Sequence, residues 1–262
     1  MSFGTAGAFD SDPEITGTGW RAARRECKSC ERYIVMERPV ISVWGDSIGK
    51  GIMFDTARNR HVICRDSYEA SLKQHGIEGH NYAVMGCTAP KGVTLMTEDR
   101  LNHGGVAVIE FGGNDCDLDW KGVCEEPEKS AEKFVKVTLP DFRAALAQLV
   151  EKARAAGLRP ILSTPLPVIA DRYFEWISKP FDRQRILDYL GAAEYIYRWQ
   201  ERYDIAVRET AAKLNVKLFD IRTRFLQERR IGDFMSIDGI HPNEKGHAII
   251  RETALEYLPA LV

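Results

Sequence analysis

Short apolar runs alternate with longer amphipathic stretches along most of the chain. A buried strand of a parallel sheet is expected to be short, apolar and bounded by turn residues. The runs that predict strands are residues 40–44, 80–85, 106–111, 160–164 and 216–220. Because strands and helices alternate, the pattern predicts an α/β fold with a mostly parallel central sheet covered by helices on both faces.

The stretches between the predicted strands carry apolar residues at helical spacing. The clearest helix covers residues 128–156, where Gly157 can end the helix and Pro140 is expected to kink or divide it. A crossover helix is predicted at 193–214. The last helix is predicted to begin near Asn243, because asparagine suits the N-cap position.

One stretch is longer than a strand–helix–strand unit needs. Residues 168–192 are interpreted as an insertion that leaves the carboxyl end of a strand, where ligands bind in open α/β sheets. Aromatic residues are frequent in it and in the helix that follows. Aromatic side chains usually fill the core. The alternative is that they form a lid or wall for an aryl or sugar-containing substrate.

Composition and charge exclude several classes of protein. A net charge of −2 gives no global field that would favour nucleic acid or an anionic membrane. No apolar run approaches the length of a membrane span, and the first residues lack the basic start and apolar core of a signal peptide. We therefore expect a cytoplasmic protein without integral membrane association. The oligomeric state does not follow from the sequence.

The first 36 residues read as an N-terminal extension that is partly disordered or packed on the body, ahead of a domain at 37–262. Basic residues surround Cys27 and Cys30 in this extension. A solvated segment packed on the body is the favoured interpretation, since runs of charge usually face water. The alternative is a basic arm that contacts a partner.

The six cysteines are expected to be free thiols, because a chain of this length does not need a disulfide framework. Four of them are weighed as zinc ligands: Cys27, Cys30, Cys116 and Cys124. The spacing of the last two is not that of a zinc knuckle. No thioredoxin-like context supports a redox role for the first two.

A calcium-loop pattern begins at Asp115. Its acidic positions are Asp115, Asp117, Asp119 and Glu126, but Trp120 stands where that loop needs glycine. The segment after this strand end is therefore expected to shape a substrate pocket. No metal and no cofactor are expected.

Three short motifs contain the residue types of nucleophilic acyl transfer. GDSIG at 45–49 follows the first predicted strand, GGND at 112–115 follows another, and DGIHP at 238–242 places a carboxylate three residues before a histidine. A serine hydroxyl needs an adjacent base at neutral pH, and a carboxylate can fix the tautomer of that base. Each motif alone could be structural, as a helix cap or a loop turn. Together they favour catalysis.

GDSIG also fits G-x-S-x-G, the nucleophile elbow of α/β-hydrolases. In that fold the elbow follows several strands, and the acidic residue usually lies far from the histidine. Here Ser47 follows the first predicted strand, and Asp238 is three residues from His241. The order of motifs instead resembles the GDSL lipase/esterase family, also called SGNH hydrolases. Residues 81–86 supply that family's N-x-x-x-x-G turn, and the resemblance spans about 39–258.

The resemblance implies a three-layer α/β/α sandwich with a flavodoxin-like sheet. It implies a catalytic triad of Ser47, Asp238 and His241, and an oxyanion hole formed by the backbone N–H groups of Ser47 and Gly86 and the side-chain amide of Asn114. The other histidines lie in no comparable motif and are predicted to be surface or structural residues: His61, His75, His80, His103 and His247.

The expected function is hydrolysis of a small carboxylic ester through an acyl-enzyme intermediate. An acetylated carbohydrate or a short acyl or aryl ester is the favoured substrate. Alternatives are a lysophospholipase or thioesterase of the same family, or a non-catalytic binding protein that uses the basic CKSC segment at 27–30.

Overall fold

The computed structural model describes residues 40–67, 71–72 and 74–257. Its strands are β1 (Val40–Gly45), β2 (Ile52–Asp55), β3 (Arg60–Ile63), β4 (Glu78–Asn81), β5 (Val106–Glu110), β6 (Arg159–Ser163) and β7 (Lys217–Phe219). Five of them pair in the order β4–β1–β5–β6–β7, and every pairing is parallel. β2 and β3 form a separate antiparallel pair. The predicted parallel sheet is confirmed.

Helices cover both faces of this sheet. They are α1 (Ala89–Leu95), α2 (Glu98–Leu101), α3 (Trp120–Glu125), α4 (Ala131–Phe134), α5 (Leu139–Ala155), α6 (Ala170–Ser178), α7 (Arg183–Leu190), α8 (Glu194–Lys213), α9 (Ile221–Leu226) and α10 (Glu244–Tyr257). One apolar core joins Trp44 and Ile109 of the sheet to Phe142 of α5. A second joins Ile41 of the sheet to Ile250 of α10. The fold is therefore a three-layer α/β/α sandwich.

Register explains why distant motifs meet at one edge of the sheet. Gly45 at the end of β1 pairs with Glu110 at the end of β5. The carboxyl ends of parallel strands lie at the same edge, so the turn with Ser47 and the turn with Asn114 emerge side by side.

Several element boundaries differ from the sequence prediction. The strand expected at 80–85 is Glu78–Asn81, earlier and shorter. The helix expected at 128–156 is divided into α4 and α5. Pro140 lies in the first turn of α5, two residues after the N-cap Thr138. Proline is tolerated there because the first N–H groups of a helix have no intrahelical partner. Pro140 therefore begins a helix and does not kink one.

The hairpin of β2 and β3 was not predicted. It leaves directly from the serine turn, since the N–H of Ile52 donates to the carbonyl of Ser47 at 2.9 Å. The N–H of Phe54 donates to the hydroxyl of Ser236 at 3.2 Å, which joins the hairpin to the segment before Asp238. The hairpin thereby brings His61 to the same edge of the sheet.

Residues 168–192 form α6, α7 and their connections. The N–H of Ile169 donates to the carbonyl of Gly239 at 2.8 Å. The guanidinium of Arg172 donates to the carbonyls of Gly232 and Met235 at 2.8 and 3.0 Å. The start of this segment is thus tied to the loop that carries Asp238 and His241. Whether it is an insertion stays a prediction.

The predictions for residues 1–36, including those for Cys27 and Cys30, lie outside the described residues. Within the described part of the chain, no helix is both long enough and apolar enough to cross a membrane. The cytoplasmic location stays a prediction from the sequence.

Candidate active site

Ser47, His241 and Asp238 lie in one chain of hydrogen bonds. Ser47 Oγ is 2.9 Å from Nε2 of His241, and Nδ1 of His241 is 2.7 Å from Oδ2 of Asp238. All three side chains are buried. The second carboxylate oxygen, Oδ1, accepts the backbone N–H groups of Ile240 at 3.2 Å and His241 at 3.1 Å. The distances are those of a nucleophile, a base and a group that orients the base.

The charge of Asp238 determines the tautomer of His241. Burial alone would raise the pKa of Asp238, but the hydrogen bonds and charge of His241 outweigh it and lower the pKa to about 2. An ionised carboxylate only accepts hydrogen bonds, so the proton of the shared bond is on Nδ1 of His241. Nε2 is then left free to accept the hydroxyl proton of Ser47, as a general base must.

A short closed loop brings Asp238 and His241 together. The N–H of Ser236 donates to the carbonyl of His241 at 2.8 Å, and Met235 and Pro242 form an antiparallel bridge. Asn243 follows as the cap of α10, where its side-chain oxygen accepts the N–H of Gly246 at 3.1 Å. The three-residue spacing between Asp238 and His241 therefore suffices because the loop is fixed at both ends.

The serine turn is held by its neighbours on β1 and β5. Oδ1 of Asp46 accepts the N–H of Ile48 at 2.9 Å, which closes the turn around Ser47. A Cβ at Gly45 would lie 2.7 Å from both the backbone oxygen and the carboxyl oxygen of Glu110. Such contacts essentially never occur in proteins, so only glycine allows β1 and β5 to approach this closely here.

The three predicted oxyanion donors line one cavity with Ser47 Oγ. The N–H groups of Ser47 and Gly86 donate to no other residue in the described part of the chain. Asn114 donates one amide hydrogen to Oδ2 of Asp46 at 3.0 Å and retains a second hydrogen for another acceptor. Gly86 has a φ of +76°, which favours glycine. The arrangement is suited to a developing oxyanion.

Two carboxyl groups lie buried beneath the serine turn. Glu110 accepts the N–H groups of Asp46 and Gly49 at 3.3 and 3.1 Å. Burial raises the pKa of Glu110 well above its ordinary value, and the nearby charge of Asp46 raises it further. Burial also raises the pKa of Asp46, although hydrogen bonds from Ile48 and Asn114 oppose the shift. We infer that the pair retains one proton and that Glu110 carries it.

Two acidic positions of the calcium-loop pattern, Asp115 and Asp117, have structural contacts. Asp115 accepts the N–H of Ala89, at the start of α1, at 2.8 Å and that of Gly112 at 3.0 Å. Burial raises its pKa to about 7. Oδ1 of Asp117 accepts the hydroxyl of Tyr173 at 2.6 Å and the indole N–H of Trp120 at 3.0 Å. These contacts fix the loop at the cavity wall.

The cysteines of the described chain are free thiols. Burial raises the pKa of Cys87 to about 11 and the pKa of Cys116 well above its ordinary value. A thiol that stays protonated is a poor metal ligand and a poor nucleophile. The thiols around this site therefore act as packing groups.

His61 is a residue of the site that sequence reasoning missed. Its Nε2 lies 3.0 Å from Oδ2 of Asp238, the oxygen that also bonds to His241. The sequence analysis predicted a surface or structural residue and did not foresee this contact with Asp238. No sequence signal marks it, because β3 carries no motif. Among the described residues, one group of histidine, cysteine and carboxylate side chains is close enough to hold a metal ion: His61, Asp238 and His241. The hydrogen bonds between these side chains already account for their approach.

A cavity of about 320 Å³ opens beside Ser47. Its wall is mainly apolar and aromatic and comes from the segment after β5, from residues 165–168, and from α6, α7 and α8. The apolar and aromatic lining residues include Leu118, Trp120, Val168, Tyr173, Trp176, Ile177, Leu190, Tyr195, Ile196 and Trp199. The volume is at the lower end of the range of about 300–1,000 Å³ for small-molecule sites.

Several solved structures that share this fold are described as lipases, acylhydrolases or esterases. The lipase/acylhydrolase from Enterococcus faecalis is 17% identical, with a TM-score of 0.60, over 85% of this chain and 96% of that chain. The acetylxylan esterase Axe2 from Geobacillus stearothermophilus is 20% identical, with a TM-score of 0.54, over 84% and 93%. At these identities the likeness shows the fold alone. No curated protein is similar enough in sequence to match the chain.

The sequence itself matches the GDSL-like lipase/acylhydrolase family over residues 41–253. That range covers both strands that carry the serine and asparagine turns, and the loop with Asp238 and His241. The chain therefore belongs to the GDSL-like lipase/acylhydrolase family, and the protein is an ester hydrolase of that type.

Proposed function

We propose that the protein hydrolyses small carboxylic esters through an acyl-enzyme intermediate on Ser47, without a cofactor. The observation that carries this proposal is the chain of hydrogen bonds from Ser47 through His241 to Asp238, whose serine end opens into the apolar cavity. A structural serine would not need an imidazole nitrogen 2.9 Å from its hydroxyl oxygen.

The reaction follows from the tautomer of His241. Ser47 Oγ attacks the carbonyl carbon of the ester while Nε2 of His241 takes the hydroxyl proton. The tetrahedral intermediate then collapses, the bond to the alcohol oxygen breaks, and His241 returns the proton to the leaving alcohol. Water attacks the acyl-enzyme in the same way and releases the acid. Asp238 stabilises the imidazolium that forms in each half-reaction.

Charge on the carbonyl oxygen is proposed to be stabilised by the N–H groups of Ser47 and Gly86 and by the free amide hydrogen of Asn114. Loss of one such donor typically lowers the rate by about 10²–10³. Asp46 fixes the amide of Asn114 through its other hydrogen. The donor is therefore oriented before substrate binds.

The cavity favours a short acyl or aryl group over an acetylated carbohydrate. A sugar needs polar groups that are free to bind its hydroxyls, whereas two polar groups of the wall, Asp117 and Gln200, already have partners. Asp117 is bonded to Tyr173 and Trp120. Gln200 donates to the carbonyl of Leu166 at 2.9 Å and accepts from Arg222 at 3.1 Å.

A thioesterase or lysophospholipase is the second candidate. Met85 lines the cavity and is about half exposed, and Ile237 beside Asp238 is similarly exposed. An acyl chain that outgrows the cavity would therefore pass over apolar surface. This candidate differs from the first in acyl length and leaving group, and uses the same chemistry.

A series of p-nitrophenyl esters tests the proposal, with acetate, butyrate, octanoate and palmitate as acyl groups. We expect turnover of the shorter esters by the wild type and loss of at least about 10³-fold in kcat/KM in Ser47→Ala. The matched control is Ser178→Ala, because Ser178 is a buried serine on α6 that bonds only weakly, at 3.5 Å, to the carbonyl of Glu175. It should retain activity.

Retained activity in Ser47→Ala would refute the assignment of the nucleophile. A preference for palmitate, or for acyl-thioesters over all oxygen esters, would favour the second candidate. Preference for acetylated sugars over every aryl and alkyl ester would contradict the interpretation of the cavity.

A further inference from the structure

The triad carboxylate of Asp238 bonds to two imidazoles. Its Oδ2 lies 2.7 Å from Nδ1 of His241 and 3.0 Å from Nε2 of His61, while Oδ1 accepts two backbone N–H groups. The mechanism above uses only His241. His61 comes from a different part of the chain, 177 residues away from Asp238. Its contact with the buried carboxylate is therefore not a consequence of the loop that joins Asp238 to His241.

The charge of Asp238 also determines what His61 donates. Because hydrogen bonds hold the carboxylate ionised, with a pKa of about 2, it has no proton to give. The proton in the bond from His61 must then be on Nε2 of His61. His61 is a donor to the triad, and the hydrogen bond is one to a charged group, which is stronger than a neutral one.

Aromatic contacts fix the ring of His61. It lies edge-on to Phe54 of the same hairpin, with 5.1 Å between centroids, and edge-on to Trp176 of α6 at 6.2 Å. Its ring centroid is 4.8 Å from that of His241. About a quarter of the side chain is exposed, on the side of the cavity. The ring therefore sits between the hairpin, the cavity wall and the triad.

We propose that His61 is a positioning residue for the triad, acting through Asp238. This inference rests on the proposed function, because it assigns His61 a role in the same reaction. As His241 gains and returns a proton, its bond to Oδ2 strengthens and weakens. The donor from His61 keeps that oxygen in place and keeps the carboxylate from turning toward another partner. The hairpin thereby contributes to catalysis without contacting the reacting atoms of the substrate.

If His61 only filled space in the cavity wall, its variants would have a different order of activity. Phenylalanine retains the ring and its packing but has no donor. Glutamine has a side-chain nitrogen that reaches about as far as Nε2 of histidine, and it retains the donor while losing the ring. If His61 positions Asp238, glutamine should restore what phenylalanine loses. If His61 only fills space, the order should be reversed.

The experiment measures kcat and KM for a short p-nitrophenyl ester in three variants: His61→Phe, His61→Gln and the control His75→Phe. His75 is an exposed histidine at the opposite end of the sheet, before β4. We expect His61→Phe to lower kcat by about 10- to 100-fold with little change in KM. His61→Gln should have a kcat within about threefold of that of the wild type. The control His75→Phe should have the kcat of the wild type.

A double-mutant cycle separates this role from general damage. In an Asp238→Asn background, His61→Phe should cause little further loss, because the partner through which it acts has lost its charge. The downfield proton resonance of Nδ1–H in His241 gives a readout independent of turnover. It should shift or broaden in His61→Phe and persist in His61→Gln.

The inference is overturned if His61→Phe retains the kcat of the wild type, if His61→Gln is as impaired as His61→Phe, or if the losses in the cycle are additive. A wild type without esterase activity would instead refute the proposed function. The resonance of His241 would still decide whether His61 positions the triad.

Discussion

Buried carboxyl groups around Ser47 differ in pKa although both are buried. Asp238 accepts four hydrogen bonds, two from imidazoles, and has a pKa of about 2. Glu110 accepts two backbone N–H groups and faces the like charge of Asp46, so its pKa is well above the ordinary value. Donors and neighbouring charge, not burial alone, decide which carboxyl stays ionised.

The raised pKa of Glu110 leads to a prediction about two substitutions. Glutamine matches a protonated glutamate in shape and still accepts the N–H groups of Asp46 and Gly49. We therefore expect Glu110→Gln to retain kcat within about threefold and stability within about 1 kcal/mol. Glu110→Ala leaves both N–H groups without this acceptor and should lower the free energy of unfolding by about 1–3 kcal/mol. Urea unfolding and ester turnover measure both effects, and a severe loss in Glu110→Gln would show that the group is charged.

At the residue scale, the sequence predicted which side chains lie together at Ser47, because motif and chemistry agreed. Ser47, Asp238 and His241 each lie in a short pattern that limits their geometry, and Asn114 and Gly86 lie in two others. His61 could not be predicted in this way. Its contact joins residues 177 positions apart and depends on how a hairpin folds against a loop. Contacts of that kind follow from tertiary packing and leave no local signature.

At the scale of elements, α6 and α7 form one wall of the cavity. The guanidinium of Arg172 joins α6 to the carbonyls of Gly232 and Met235, which precede Asp238. Tyr173 reaches across to Asp117 in the segment after β5. The start of the segment at 168–192 is therefore bonded both to the loop before Asp238 and to the segment after β5.

Ile177 lies on α6 and lines the cavity. Its size should therefore affect which acyl chains the cavity accepts. Ile177→Ala enlarges the cavity and should raise the ratio of octanoate to acetate turnover by about 10-fold or more. Ile177→Phe fills it and should lower the same ratio. One methylene in an apolar pocket changes discrimination by about 10-fold or more. Turnover of both esters by each variant measures the ratio, and a ratio that is unchanged in both would place the acyl chain elsewhere.

Element boundaries were predictable where local signals were strong. The crossover helix expected at 193–214 is Glu194–Lys213, and the last helix begins at Glu244, directly after its cap Asn243. Pro140 was misassigned because proline disrupts a helix interior but suits a first turn, and sequence alone does not tell which applies. The hairpin was missed because its turn at 56–59 lacks the glycine that marks tight hairpins.

At the scale of the whole molecule, the parallel sheet assembles the site. Ser47 follows β1, Asn114 follows β5, and the two strands are neighbours in the sheet. The loop with Asp238 and His241 lies before α10, which packs on the opposite side of β1 from α5. Sequence order alone would leave these groups far apart. Strand order, which the family resemblance implied, brings them to one edge.

His247 gives the stability of the molecule a dependence on pH. It lies on α10, its Nε2 contacts the carbonyl of Ile52 at 3.0 Å, and burial lowers its pKa from 6.5 to about 4. The unfolded chain therefore takes up this proton first as the pH falls. Above about pH 6.5 His247 has no effect, and between about 6.5 and 4 it progressively destabilises the fold, by up to about 3 kcal/mol.

The difference between wild type and His247→Gln isolates this effect from other titrating groups. Glutamine can donate to the same carbonyl but does not titrate. We expect the wild type to lose about 1–3 kcal/mol more than the variant between pH 7 and pH 4 in urea unfolding. Parallel pH profiles for the two proteins would contradict the assignment.

The most direct test of the central claim is labelling with a fluorophosphonate, followed by peptide mass spectrometry to identify the modified residue. The phosphonyl group traps a serine only when a base activates it, so the label reports the triad and not a particular ester. We expect rapid modification of the wild type at Ser47 alone and slowing of about 10³-fold or more in His241→Ala. Modification at another residue, or an equal rate without His241, would contradict the account.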